Sequence, residues 1–291
     1  MPRRNIAWFA ICLVAVIGKV TKADYAATYK IFEQYLYVTW SPSHVVSLDG
    51  GRTLELRLDN SSGSGFASKG QYMFGYISMQ IKLIPGNSAG TVTAYYMSSQ
   101  SANRDELDFE FLGNVPGESY ILQTNVFTNG IGNREQRMSL WFDPTTDFHT
   151  YSFFWNQHQI LFLVDNIPIR SFENYEKKGV AFPSQQPMGV FSSIWNGDQW
   201  ATRGGLVKID WTQAPFIATY QNFVPDACET SSWASSDCES ASTHNWWNEK
   251  KYQKMSPSQK SKLEWIKSNY LIYDYCADAA RYPTPPPECI D

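Results

Sequence analysis

The sequence predicts an all-β fold, an antiparallel sandwich or barrel with a short cysteine-bearing tail, on three observations. From about Tyr35 to Phe223, short alternating or apolar runs recur, divided by Gly, Asn, Asp and Pro. The 291-residue chain is 43% hydrophobic, enough for one large core, and its 11 Trp, 17 Tyr and 17 Phe exceed what a core alone needs. Of five cysteines, Cys12 lies near the N-terminus and Cys228, Cys238, Cys276 and Cys289 all lie in the last quarter.

The chain opens with Arg3 and Arg4, an apolar run from Ile6 to Ile17, and a short polar stretch ending at Ala23. This is the pattern of a signal peptide, residues 1–23. The run is shorter than the ~20 apolar residues that span a bilayer, and no later stretch is long enough, so an exported protein with no membrane anchor is expected. Removing the segment takes away Arg3, Arg4, Lys19 and Lys22 and no acidic residue, so the formal charge moves from -4 to -8. That speaks against nucleic acid or an anionic membrane as partner.

Strand candidates are Thr53 to Leu58, Gly75 to Leu83, Thr91 to Ser98, Tyr120 to Phe127, His149 to Trp155, Gln159 to Val164 and Leu206 to Trp211. Asp165 and Asn166, between two apolar runs, read as a hairpin turn. In the tail, Ser256-Pro257-Ser258-Gln259 is a capping-box pattern with Pro at the first helical position. Leu263, Ile266 and Tyr270 follow at helical spacing, which predicts one amphipathic helix packed on the sandwich. Four cysteines in an exported chain suggest two disulfides, and spacing favours Cys228 with Cys238 and Cys276 with Cys289. No His accompanies them at zinc-ligand spacing, so neither a metal nor a cofactor is expected. Residues 24–224 then form the β domain, and residues 225–291 an annex stapled to it.

The central feature is the run from Asp105 to Asn114. Side chains alternate along a strand, so Glu106, Asp108 and Glu110 share one face while Leu107, Phe109 and Phe111 share the other. A solvated strand face or a calcium cluster would also use such acids. Carboxylates beside abundant aromatic rings are what a sugar-cleaving cleft requires. Four residues at ~3.4 Å rise put the Glu106 and Glu110 backbones roughly 13 Å apart, beyond the 5–5.5 Å carboxyl separation of retaining catalysis. The side chains must lean together, which predicts a concave sheet bearing the cleft.

At this strand the sequence resembles the xyloglucan endotransglucosylase/hydrolase family, within glycoside hydrolase family sixteen. The likeness extends through Leu122 to Phe127, Asn133 to Gln136, Leu140 to Thr145, Trp195-Asn196, Trp200 to Gly205, Arg281 to Pro283 and Pro285 to Cys289. It implies a curved β-jelly-roll sandwich with a C-terminal extension. It also implies retaining catalysis with Glu106 as nucleophile, Glu110 as acid/base and Asp108 as their helper. Sugar contacts are implied for Tyr96, Gln123, Thr124, Asn125, Asn133, Arg134, Glu135, Arg137, Trp195, Gln199, Trp200, Gly204 and Arg281. Read alone, Tyr96 is as suited to a core, Arg134 and Arg137 to surface ion pairs, and Arg281 to fixing the tail.

The resemblance further implies a monomeric apoplastic enzyme of the cell wall, with xyloglucan or a related β-glucan as donor and acceptor. Net hydrolysis, a cellulose or mixed-linkage glucan donor, and a silent wall-binding lectin are the alternatives. The intact acids speak against the lectin. Three positions depart from the family pattern. Arg104 replaces the usual His beside the acidic strand, Asn114-Val115-Pro116 lacks the usual sequon, and Asn133 replaces an Asp. Another sequon stands at Asn60-Ser61-Ser62. The loop Asn129 to Asn133 is short, whereas mainly hydrolytic relatives are expected to carry a longer one, which favours transfer to a sugar acceptor.

Overall fold

The computed structural model describes residues 32–233 and 236–290, so the expected signal segment lies outside the described residues. The first seven strands are β1 (Leu36–Trp40), β2 (Val45–Leu48), β3 (Thr53–Leu58), β4 (Ser64–Lys82), β5 (Thr91–Ser98), β6 (Glu106–Leu112) and β7 (Ile121–Phe127). They are followed by β8 (Gln136–Ser139), β9 (His149–Trp155), β10 (Gln159–Val164), β11 (Ile167–Glu173), β12 (Met188–Asn196), β13 (Phe216–Glu229) and β14 (Leu271–Asp274).

These strands make two antiparallel layers that share β4. Its first half, from Ser64 to Tyr72, lies between β1 and β12 and belongs to a front layer ordered β1-β4-β12-β5-β6-β7-β8-β14. Its second half, from Gly75 to Ile81, lies between β9 and β13 in a back layer that runs β2-β3-β13-β4-β9-β10-β11. The chain changes layers at Phe74 and Gly75, where φ is 64° and 138°. A Cβ on Gly75 would lie 2.4 Å from the Cα of Ala227, so the close approach of β13 requires glycine there.

The core fills the space between the layers. Leu107, Phe109 and Phe111 of β6 are wholly buried, and their rings meet the back layer at right centroid spacings for edge and tilted contacts: Phe109 with Phe153 at 4.9 Å, Phe111 with Tyr151 at 4.7 Å. Each such side chain contributes on the order of 2 kcal/mol through burial. The turn at Asp165-Asn166 has both residues at positive φ, 48° and 62°, as a tight hairpin needs.

Leu206 to Trp211 is not a strand. Gly204 and Gly205, both at positive φ, turn the chain just before it; Leu206 is left 85% exposed. The Asp210 carboxylate then accepts the Thr212 N–H at 3.0 Å and caps a short 3-10 turn, Trp211–Gln213. Only the apolar content of this stretch resembled a strand.

The tail is built into the sandwich. Strand β13 runs unbroken across position 224, and β14 pairs with β8 as the edge strand of the front layer. Between them lies the helix Pro257–Tyr270, with the full capping box: Gln259 N–H donates to Ser256 Oγ at 3.2 Å and Ser256 N–H to Gln259 Oε1 at 2.9 Å. Its buried residues are Leu263 and Ile266, and it packs against β11. The disulfides are Cys228–Cys238 and Cys276–Cys289.

Candidate active site

The ladder register assembles the site. Paired residues in an antiparallel sheet project from the same face. One row across the front layer therefore reads Phe191, Tyr96, Asp108, Asn125, and the next reads Ser193, Ala94, Glu110, Gln123, Arg137, Tyr273. Glu106 pairs with Phe127 one row further. The rows floor a cleft of about 760 Å³ walled by Trp195 and Trp200 on one side and by Glu135, Tyr273 and Arg281 on the other. Placing the acids on a strand, with partners on both neighbours, fixes them more firmly than loops could.

The two Glu residues have different surroundings. Arg104 donates to Glu106, Nε to Oε2 at 2.7 Å and Nη2 to Oε1 at 3.4 Å, and its guanidinium lies 5.1 Å from the Phe127 ring centre. Glu110 accepts from Gln123 Nε2 at 2.6 Å, and Gln123 in turn accepts from Arg137 Nε at 2.7 Å. Burial raises the Glu110 carboxyl above the usual range and the charge of Glu106 adds to this, while the Gln123 donor opposes it. Asp108 is pushed well above the usual carboxylate range by burial and then by Glu106 and Glu110, with Arg104 opposing. A protonated Asp108 can donate a hydrogen bond that neither flanking carboxylate could provide. Tyr96 stacks on Phe191 at 5.2 Å, and burial, then the charges of Glu106 and Asp108, push its phenol up to about 12. The face thus holds one arginine-paired acid, Glu106, and two acids inclined to keep their protons, Asp108 and Glu110; the contrast between Glu106 and Glu110 is the pairing of roles that glycoside cleavage uses.

Of the residues expected to touch sugar, Tyr96, Gln123, Asn125, Glu135, Arg137, Trp195, Trp200 and Arg281 line the cleft. The Trp195 and Trp200 rings lie 6.1 Å apart. Arg281 binds Glu135 Oε2 at 2.7 Å and Asn133 Oδ1 at 2.8 Å, so Asn133 holds the wall without forming it. Thr124 does not face the cleft: between Gln123 and Asn125 it takes the opposite face, where its hydroxyl accepts from buried Arg170 at 3.0 Å. Arg134 also turns away, pairing at 2.6 Å with Glu288 of the tail. Gln199 and Gly204 are exposed and outside the cleft lining. Phe127 and Ser193 were not foreseen as lining residues, although Phe127 continues the alternation of Gln123 and Asn125. Tyr273 comes from the tail strand, and no local pattern marks it.

Residues 32–213 match the family described as Glycosyl hydrolases family 16, and residues 241–289 match Xyloglucan endo-transglycosylase (XET) C-terminus. The chain belongs to glycosyl hydrolases family 16. This family-16 chain is 50% identical over 288 residues to "Probable xyloglucan endotransglucosylase/hydrolase protein 7" of Arabidopsis thaliana, covering 98% of this chain and 96% of that protein. It is 52% identical to "Xyloglucan endotransglucosylase protein 34" of Populus tremula x Populus tremuloides, covering 95% and 94%. Among solved structures, a prokaryotic beta-1,3-1,4-glucanase (lichenase) from a mouse hindgut metagenome superposes with a TM-score of 0.53 at 23% identity, covering 67% of this chain and 94% of that one. At that identity the likeness concerns the family-16 fold alone.

Proposed function

We propose that this chain is a retaining xyloglucan endotransglucosylase, secreted to the cell wall and acting as a monomer without a cofactor. The observation that carries the assignment of roles is the contrast between Glu106, paired with Arg104, and Glu110, raised by burial, on one face of β6. The Glu106 carboxylate attacks the anomeric carbon of a backbone glucose. The bond from that carbon to the leaving oxygen breaks as Glu110 passes its proton to the departing chain, leaving a glycosyl ester on Glu106. The 4-hydroxyl of another glucan end then attacks the same carbon. Glu110 takes its proton, the ester bond breaks, and two inversions give net retention.

Support for xyloglucan as donor comes from the relatives' names and the matched C-terminal region. The short loop Asn129 to Asn133 favours a sugar acceptor over water. Export is supported by the leader pattern and the two disulfides; among the described residues no helix is long and apolar enough to cross a membrane.

The test offers a labelled xyloglucan oligosaccharide together with xyloglucan, mixed-linkage glucan or amorphous cellulose. Label is expected to enter xyloglucan polymer, and Glu106→Ala and Glu110→Ala are each expected to abolish this. Reducing ends without label in polymer would make the chain a hydrolase. Full activity in either variant would overturn the catalytic assignment.

A further inference from the structure

The row of paired residues through Glu110 continues past the cleft wall. Beyond Ser193 it passes to Gly65 of β4 and then to Trp40 of β1. A Cβ on Gly65 would lie 2.4 Å from Trp40 Nε1, and one on Gly63 would lie 2.9 Å from Trp40 Cη2. The indole therefore spans both glycines, on the face that Ser193 and Glu110 share. A side chain at either glycine would lift the ring off the floor. Trp40 remains 39% exposed, so its ring is accessible from solvent.

We propose that Trp40 is the stacking platform of a distal subsite, receiving a glucosyl ring of the same β-glucan that Glu106 and Glu110 cleave. The proposal rests on the function proposed above. Gly65 lies three strand spacings from Glu110 (β4, β12, β5, β6), which at ~4.8 Å each is about 14 Å, a span of a few linked pyranose rings. Small residues keep the path between them low: Ala94 and Ser193 are the only side chains of that row between Gly65 and Glu110. A glucan chain laid across the strands could thus run from the catalytic acids to the indole. The ring presents a flat apolar surface of the kind that packs against the C–H face of a pyranose.

The experiment measures KM for a ladder of xyloglucan-derived oligosaccharides of increasing length with the full chain, Trp40→Ala and Trp40→Phe. For the unaltered protein, KM is expected to drop at the length that first reaches Trp40. Trp40→Ala should lose that drop, about fivefold to twentyfold in KM, and Trp40→Phe should retain part of it. In parallel, calorimetric titration of Glu106→Ala with the longest oligosaccharide should show a similar weakening when Trp40→Ala is added. A length dependence of KM identical in Trp40→Ala and the unaltered protein overturns the platform. So does a loss of activity in equal proportion at every length with a lowered Tm, which marks a structural role. Absence of both turnover and binding in the unaltered protein overturns the proposed function itself.

Discussion

Replacing Gln123 by Leu tests how the proton on Glu110 is set. The change deletes the donor that Gln123 Nε2 holds 2.6 Å from Glu110 Oε2 and unlinks Arg137, which reaches Glu110 through the same amide. A hydrogen bond to a charged group is worth about 1.5–3 kcal/mol, and one pKa unit corresponds to about 1.4 kcal/mol. The donor favours the carboxylate, so its loss raises Glu110 further, by about one to two units. Arg137, released from the amide, can move toward the carboxylate and offset part of this, so a rise near the lower end is expected. The high-pH limb of kcat/KM reports the free enzyme's general acid. Measured across pH with xyloglucan and a labelled acceptor, that limb should move up by about one pH unit while the maximum falls. A limb that stays in place or moves down would refute Glu110 as the acid, or Gln123 as the group that restrains it.

Three further outcomes are expected. Asp105 is buried and raised to about 6, so the folded chain holds a proton that the unfolded chain releases near its ordinary value. Stability should therefore fall as pH rises from about 4 to 6; Asp105→Asn, which keeps an acceptor for the Asn129 N–H, should flatten Tm against pH there and gain on the order of 2 kcal/mol at pH 7. Arg104→Ala removes both donors to Glu106, and kcat should fall about tenfold, as measured by steady-state kinetics, with a smaller change in KM. Replacing Cys276 and Cys289 together by Ser opens a loop of sequence separation 13, worth about 3 kcal/mol, which for a chain of this size lowers Tm by about 6–12 °C. KM should rise as well, because the tail that carries Arg281 and Tyr273 loses its clasp.

The parts legible in the sequence were those with a local cause. Alternation set the two faces of Glu106 to Phe111, the capping box started the helix at Pro257, and Asp165-Asn166 declared its own turn. Reading the motif Gln123 to Asn125 as one block of sugar contacts overlooked the same alternation, which sends Thr124 to Arg170. What stayed hidden depends on which strand lies beside which. No pattern around Tyr273 says that β14 will border β8, and none around Arg134 says that Glu288, 154 residues later, will meet it. The false strand at Leu206 arose the other way: an apolar run of strand length whose preceding glycines had already turned the chain.

The placement of β14 at the edge of the front layer bears on the order in which the protein matures. Its four residues come after every other strand of the front layer in chain order, so the catalytic sheet lacks its border until they have been made. Until then β8 offers an unpaired edge, the kind of template on which strands of other chains add. Docking of β14 closes that edge and brings Tyr273 and Arg281 to the cleft in the same event. The working cleft is complete only once β14 has docked, and a product truncated before Leu271 would be both inactive and prone to self-association.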